Sequence, residues 1–125
     1  MHYLLDTNIF LWWLNGDRKL KDNVKREITD PNNFIFISVA NAWEISIKHR
    51  AGKLPLKTSL KKCFEISDFQ VLNLNLEHIL VLDKLPLLHK DPFDRMLIAQ
   101  AIHEKAALIT SDDKIEKYKI DILKA

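Results

Sequence analysis

Short apolar segments alternate along this sequence with longer segments in which apolar residues recur every three or four positions. An apolar run of a few residues is typical of a buried β-strand, whereas the longer period indicates an amphipathic α-helix. Strands that are separated by helices pair in parallel. The sequence therefore predicts an α/β fold with a short parallel sheet covered by helices on both faces. The predicted strands occupy residues 3–5, 34–37, 71–72, 108–109 and 120–123.

Capping residues, glycines and prolines set the expected ends of the helices. Gly52 and Pro86 each end one helix, because glycine favours a helix C-terminus and proline cannot continue a helix. Ser, Asn and Asp side chains accept hydrogen bonds from the free N–H groups at helix starts. Helices are expected over residues 7–14 and 58–68, from about Leu20 to Thr29, after the N-caps Ser38 and Asn75, and from Asp91-Pro92 onward.

The composition is that of a folded globular protein. The chain has 125 residues, of which 47% are hydrophobic and 29% charged, so we expect a single domain over residues 1–125. A net charge of +2 permits a polyanionic partner without requiring one. Because the one cysteine, Cys63, cannot form an internal disulfide, we expect a protein of the reducing cytoplasm. Asp6 and Asn8 interrupt the first apolar run, so neither a signal peptide nor a membrane span is expected.

Five carboxylates follow the predicted strands or open the helices. Asp6 directly follows the first strand, Glu44 lies little more than one turn into the helix after the second, and Asp112 follows the fourth. Asp91 and Asp94 open a helix. Ligands of open α/β sheets bind beyond the carboxyl ends of the strands, so we expect these acids to gather there. Crowded carboxylates stay ionised when a cation lies between them, and all-oxygen ligation favours Mg²⁺ or Mn²⁺.

Each acid also has a purely structural interpretation. Glu44 can form an ion pair with Lys48 four residues later, worth only tenths of a kcal/mol. The remaining acids can stabilise the N-terminus of a helix or turn, as Asp residues commonly do: Asp6, Asp91, Asp94 and Asp112. A single acid in such a capping position is common. Five such acids at one edge of a sheet are much less expected by chance, which favours a shared function.

Among the basic side chains, two flank the pair of acids Asp91 and Asp94. Lys90 and Arg95 are therefore the expected phosphate contacts, although a charged helix surface is the ordinary alternative. The five histidines show no H-x-x-x-H spacing, so the sequence gives little support to a zinc site.

Four segments resemble, in order, the motifs of PIN domains, and together they span most of the chain. They are Leu4-Leu5-Asp6-Thr7-Asn8, Trp43-Glu44-Ile45-Ser46-Ile47-Lys48, His89-Lys90-Asp91-Pro92-Phe93-Asp94-Arg95 with Leu97-Ile98-Ala99-Gln100-Ala101, and Ile109-Thr110-Ser111-Asp112. The short length and the Asp-Pro-Phe-Asp-Arg segment are similar to the VapC toxins of bacterial VapBC toxin–antitoxin pairs.

The resemblance implies a PIN fold and an endoribonuclease that hydrolyses RNA phosphodiester bonds with Mg²⁺ or Mn²⁺. It also implies a homodimer and a small VapB-like antitoxin. The residues that match the catalytic acids are Asp6, Glu44, Asp94 and Asp112. Asp6, Asp94 and Asp112 would hold the metal, while Glu44 would ligate a second ion or orient the attacking water. The motifs leave the role of Asp91 as a further ligand open. The polar residues that would orient the ligands are Asn8, Thr110 and Ser111.

The first helix is unusually rich in large apolar side chains. Residues 10–14 read Phe-Leu-Trp-Trp-Leu, which is more bulk than one helix normally buries on one face. We therefore expect part of this segment, Trp12 or Trp13 in particular, to form a docking surface for a helix of the antitoxin.

Two other protein classes combine an α/β fold with clustered acids. A haloacid-dehalogenase-type phosphatase has Asp-x-Asp after its first strand and uses the first Asp as nucleophile. Here Asn8 occupies the second position, which argues against that chemistry. A non-catalytic response-regulator receiver would need two adjacent acids near the first strand, where this chain has only Asp6. A catalytically silent regulatory domain remains a further alternative at this stage.

Overall fold

A five-stranded parallel sheet forms the centre of the computed structural model, which describes all residues, Met1–Ala125. The strands are β1 (His2–Leu5), β2 (Phe34–Ser38), β3 (Gln70–Leu72), β4 (Ala107–Thr110) and β5 (Ile122–Lys124), in the spatial order β3-β2-β1-β4-β5. Leu4 of β1 pairs with Phe36 of β2 and with Leu108 of β4. Because every pairing is parallel, the carboxyl ends of β1 and its two neighbours lie at the same edge of the sheet. The predicted parallel α/β sheet is confirmed.

Six α-helices connect and cover the strands. They are α1 (Thr7–Asn15), α2 (Asp22–Thr29), α3 (Val39–Arg50), α4 (Leu60–Ser67), α5 (Leu76–Lys84) and α6 (Pro92–Glu104), followed by a short 3₁₀ helix over Ile115–Lys117. Ser38 and Asn75 cap α3 and α5 through their side chains, as predicted. Gly16 ends α1 with a φ of 60°, a left-handed conformation that glycine adopts without steric cost. None of the helices combines the length and apolar character needed to cross a membrane.

The ends of three elements differ from the sequence-based prediction. α2 begins at Asp22 rather than near Leu20, because Lys21 has extended backbone angles, and Leu20 is buried in the preceding turn. α4 begins only after its N-cap Ser59. β5 begins at Ile122, since the backbone around Ile120 turns and donates its N–H to Tyr118. Local hydrogen bonds decide these ends, and apolar periodicity does not register such bonds.

The core lies on both faces of the sheet. Leu5 of β1 belongs to a buried cluster with Phe10 of α1, while its neighbour Leu4 belongs to a second cluster with Leu97 of α6. Consecutive strand residues divide in this way because their side chains alternate between the two faces. The helices α1 and α6 therefore lie on opposite faces of the sheet, and both begin near the carboxyl edge of β1 and β4.

Candidate active site

Asp6 lies at the carboxyl end of β1 and joins that strand to α1 and β4. Its Oδ1 accepts a hydrogen bond from the backbone N–H of Thr7 at 2.7 Å, so the carboxylate caps α1. Its Oδ2 accepts a hydrogen bond from Thr110 Oγ1 at 2.7 Å, across to the end of β4. The residue is buried. The same carboxylate therefore serves as a helix cap and belongs to a polar centre between two strand ends.

Glu44 reaches the same region from α3 and is also buried. Thr7 Oγ1 donates a hydrogen bond to Glu44 Oε1 at 2.6 Å. Asn41, one turn earlier in α3, donates from Nδ2 to Thr7 Oγ1 at 2.9 Å and to the Leu5 carbonyl oxygen at 3.2 Å. Lys48 Nζ lies 2.5 Å from Glu44 Oε2. Both carboxylate oxygens of Glu44 are thus engaged, and these bonds fix α3 against the end of β1.

Two further acids stand at the N-terminus of α6. Asp91 Oδ1 accepts hydrogen bonds from the backbone N–H groups of Phe93 at 2.8 Å and Asp94 at 3.2 Å. Asp91 is therefore the N-cap, with Pro92 in the first turn, as the sequence predicts. Asp94 lies in the first turn of the helix and is buried. The start of α6 thus carries one acid used as a cap and a second acid enclosed by the protein.

His89 connects Asp94 to Asp112 and is not among the site residues expected from the sequence. Its Nε2 lies 2.9 Å from Asp94 Oδ2 and 3.1 Å from Asp112 Oδ2. Its Nδ1 accepts a hydrogen bond from the backbone N–H of Asp91 at 3.2 Å. We therefore assign the ring proton to Nε2, where it faces both carboxylates. His89 has no second histidine at metal-binding spacing, so the only sequence signal of this role is its position just before the third acidic motif.

The acids surround Asp94 closely enough to change its ionisation. Burial, and after it the charges of Asp6, Asp91, Glu44 and Asp112, raise the pKa of Asp94 to about 8. Like charges destabilise one another's ionised forms mainly at short range. The structure thus brings the five acids singled out in the sequence into one electrostatically coupled centre.

The pKa values of Asp6 and Asp112 shift in opposite directions. Burial raises the pKa of Asp6 by more than its hydrogen bonds, chiefly the one from Thr110, lower it. Asp112 is also penalised by burial, but the Lys114 backbone N–H and the His89 side chain outweigh that penalty and hold its pKa below the usual range. The centre therefore combines one acid that ionises readily with two that resist ionisation when no cation is near.

This donor set fits a hard divalent cation. A positive ion among Asp6, Asp94 and Asp112 would offset the burial and repulsion that raise the pKa of Asp94. The donor atoms of His89, Asp94 and Asp112 lie within 4.8 Å of one another. Because His89 Nε2 carries its proton, the imidazole suits a supporting donor to the carboxylates better than a ligand. The remaining donors are oxygens, which Mg²⁺ and Mn²⁺ prefer.

A family model for the PIN domain matches residues 3–121 of the sequence. The chain belongs to the PIN domain family. This PIN domain is similar to the structure of VapBC2 from Rickettsia felis bound to a DNA fragment from their promoter, with a TM-score of 0.77 and 22% identity over 99% of this chain and 98% of that one. It is also similar to VapBC-1 from nontypeable Haemophilus influenzae, with a TM-score of 0.69 and 20% identity over 99% and 98% of the two chains.

A more distant likeness extends to the PIN domain endonuclease Utp24, with a TM-score of 0.53 and 16% identity over 99% of this chain and 84% of that one. Comparison with curated protein sequences gives no significant match. The likeness to these structures shows that the PIN fold is shared, and the predicted PIN-like fold is confirmed.

Of the polar residues expected to orient the acids of this PIN domain, one is in direct contact with them. Thr110 Oγ1 donates to Asp6 and accepts a hydrogen bond from the backbone N–H of Asp112 at 3.0 Å, so it spans two acids. Asn8 is exposed in the first turn of α1, and Ser111 is half-buried after β4. Neither side chain hydrogen-bonds to an acid of the centre in this structure.

The two expected phosphate contacts have different surroundings. Lys90 is exposed beside His89. Arg95 Nη1 donates to the Pro86 carbonyl oxygen and to the Tyr118 hydroxyl, both at 2.9 Å, so the guanidinium holds the loop before α6. A phosphate contact stays a prediction for both residues, and Arg95 would have to exchange these partners to make one.

Proposed function

We propose that this PIN domain is a Mg²⁺- or Mn²⁺-dependent endoribonuclease, the VapC-type toxin of a type II toxin–antitoxin pair. The observation that carries the proposal is the burial of Asp94 among four other acids, which raises its pKa to about 8. A carboxyl group so placed is costly to ionise unless a cation binds beside it. Membership of the PIN family and the likeness to a PIN domain endonuclease support nucleolytic chemistry.

In the proposed centre, Asp6, Asp94 and Asp112 hold the divalent ion. Such an ion supplies Lewis-acid polarisation of a phosphate and activation of water near neutral pH. Thr110 and His89 orient the ligand carboxylates by donating hydrogen bonds to them. Glu44, held through both of its oxygens, is suited to orient an attacking water.

The first prediction concerns removal of the metal. We expect RNA cleavage by purified, antitoxin-free protein to require added Mg²⁺ or Mn²⁺ and to fall by on the order of 1,000-fold with EDTA. The reason is that metal stabilisation of a phosphoryl transition state is worth several kcal/mol, and each 1.36 kcal/mol is tenfold in rate. Sequencing the RNA ends formed with Mn²⁺ measures the reaction and identifies the cleaved site.

The control is the Asp6→Asn variant, purified and assayed in parallel. Any cleavage that survives in this variant measures contaminating nucleases, since asparagine keeps the shape of the side chain and loses the ligand charge. Unchanged cleavage by the wild-type protein in EDTA would contradict the proposed metal dependence.

We also propose a small VapB-like antitoxin as partner. The similar structures from R. felis and H. influenzae are of VapBC pairs, which supports this partner class. Trp12 and Trp13 of α1 are both half-buried, so each keeps exposed area as the docking prediction requires. The Trp13 ring lies 5.9 Å from that of Phe69, and Lys19 Nζ lies 5.8 Å from the centre of the Trp12 ring.

An apolar cleft between α1 and α4, which neither tryptophan lines, offers a further place for a partner helix. Its volume is about 180 Å³, and its apolar lining includes Leu11, Leu14, Leu56, Cys63 and Ile66. Ile66 is 59% exposed although it lies in this lining. An exposed isoleucine beside an apolar cleft is the kind of surface that a helix laid in a groove covers.

The second prediction is that Ile66→Asp weakens binding of the antitoxin encoded beside this chain by about 30-fold or more. A buried interface anchor contributes roughly 2 kcal/mol or more, and every 1.4 kcal/mol is tenfold in affinity. Calorimetry or biolayer interferometry with the purified pair gives the Kd. The matched control is Leu87→Asp, since Leu87 is 76% exposed in the loop before α6, away from the cleft. Equal Kd values for both variants and wild type would rule out this docking surface.

The proposal further includes a homodimer and a cytoplasmic protein that acts as one domain over residues 1–125. Three exposed apolar side chains follow helical spacing on α5 and offer a surface for a second copy: Leu76, Ile79 and Leu80. The single cysteine, Cys63, is buried and free, which is compatible with a reducing compartment.

A further inference from the structure

Lys48 is the one lysine or arginine that forms an ion pair with an acid of the candidate centre. Its Nζ lies 2.5 Å from Glu44 Oε2, while Glu44 itself is buried. The Lys48 side chain is 43% exposed, so its stem reaches inward from the protein surface. Asp91 and Asp94 also interact with its charge. A fixed positive charge therefore already stands on the Glu44 side of the cluster.

The other basic side chains near the centre do not take this position. Lys90 is exposed, and the Arg95 guanidinium is bound to the Pro86 carbonyl oxygen and the Tyr118 hydroxyl. His89 contacts Asp94 and Asp112 and forms no ion pair with Glu44. Two different groups thus contact the acids: the His89 imidazole contacts Asp94 and Asp112, and the Lys48 ammonium contacts Glu44.

We propose that the Lys48 ammonium group is a built-in substitute for a second metal ion, so that the centre binds one divalent ion and not two. This inference rests on the metal-dependent nuclease proposed above and deepens it. Two-metal phosphodiesterases place their ions roughly 3.5–4 Å apart, with a carboxylate on each. In this chain, Glu44 is the acid expected from the family resemblance to ligate a second ion, and Lys48 Nζ already lies beside its Oε2.

The geometry favours exclusion of that second ion. Mg²⁺ would need to approach a Glu44 oxygen to about 2.0–2.1 Å, and Lys48 Nζ already lies 2.5 Å from Oε2. The remaining oxygen, Oε1, accepts the Thr7 hydroxyl hydrogen bond at 2.6 Å. An ammonium ion carries donors only and no vacant coordination position, so it neutralises Glu44 without binding water as a metal would. It also leaves a positive charge at the surface, where a phosphate of the substrate can approach.

The test counts bound Mn²⁺ in the RNA-free protein by calorimetric titration and by electron paramagnetic resonance of the bound ion. We expect about one Mn²⁺ per chain in the wild type and about two in Lys48→Met, because Met keeps the apolar stem and removes the charge. Lys48→Arg keeps the charge and should bind one. The matched control is Lys61→Met, since Lys61 forms another i,i+4 pair, with Glu65, on exposed α4.

The possible outcomes separate this inference from the function on which it rests. Two ions in the wild type, or one ion in Lys48→Met with wild-type affinity, would overturn the role of Lys48 and leave the nuclease proposal standing. No bound ion in the wild type would overturn the proposed metal dependence and the inference together. If Lys48→Met folds poorly, the number of Mn²⁺ ions bound by the wild type and by Lys48→Arg still tests the inference. Two ions in either protein would contradict it.

Discussion

Replacing Asp94 with Asn should make the metal-free protein more stable while RNA cleavage falls by about 1,000-fold or more, in line with a loss of several kcal/mol of metal stabilisation. Asn has nearly the same size, and its side-chain oxygen can still accept the His89 hydrogen bond. The substitution removes only the charge that burial and four acids oppose. Mn²⁺ should then raise the melting temperature of the variant much less than that of the wild type, since a ligand stabilises only what it binds.

The size of this gain in stability and its dependence on pH follow from the pKa of Asp94. A carboxyl group near 3.8 in the unfolded chain and about 8 in the folded protein binds its proton more tightly when folded. Its contribution to stability is therefore complete below about pH 4 and is lost as the pH rises to about 8. The raised pKa of Asp6 changes stability with pH in the same direction, and the lowered pKa of Asp112 changes it in the opposite direction. In Asp94→Asn the Asp94 part of this pH dependence should disappear, with a gain on the order of a few kcal/mol at pH 8.

If Asp94 served only as a helix cap, Asp94→Asn would make the metal-free protein less stable and not more stable. Loss of an acid in the first turn of a helix costs about 0.3–1 kcal/mol through the helix dipole, which is less than the expected gain. Asp22→Asn is the matched control, because Asp22 lies exposed in the first turn of α2. Thermal unfolding from pH 5 to 9, with and without Mn²⁺, measures both variants. A less stable Asp94→Asn protein that still cuts RNA would show that Asp94 is a cap and not a metal ligand.

Thr7→Val should destabilise the fold by about 3 kcal/mol, which lowers the melting temperature by roughly 10 °C in a chain of this size. Valine keeps the shape of Thr7 but removes its hydroxyl, which donates to Glu44 Oε1 and accepts from Asn41 Nδ2. All three residues are buried, so the partners cannot recover these bonds from bulk water. We also expect slower cleavage, because Glu44 loses the bond that fixes its orientation.

Thr29→Val provides the comparison for Thr7→Val. Thr29 is exposed at the end of α2, and its hydroxyl bonds only to backbone oxygens of Lys25 and Arg26. Its replacement should change stability by no more than about 0.5 kcal/mol, as is usual for surface positions. Chemical denaturation of both variants tests the difference. Equal, small losses of stability would mean that the Thr7 hydroxyl does not hold α3 to the end of β1.

The elements of the fold were predictable because their signals are local in the sequence. Alternating and helical periodicities act over a few residues, and a cap such as Ser38 or Asn75 contacts the next turn of the same helix. The rule that ligands bind beyond the carboxyl ends of parallel strands then predicts that Asp6 and Asp112, which follow β1 and β4, lie at one edge of the sheet. A chain with these patterns is therefore expected to bring these acids near one another.

Tertiary structure alone decided which partners distant in the sequence each acid has. Thr110 reaches Asp6 across 104 positions of the chain, and Thr7 reaches Glu44 across 37. Bonds of this kind depend on how deeply two packed elements approach each other, and periodicity carries no information on that distance. The same holds for His89, whose ring stands between Asp94 and Asp112 because the loop before α6 folds back on the end of β4. Lys48, by contrast, had a local signal, since it follows Glu44 by one helical turn. Its pairing matters for the metal only because the fold also buries Glu44.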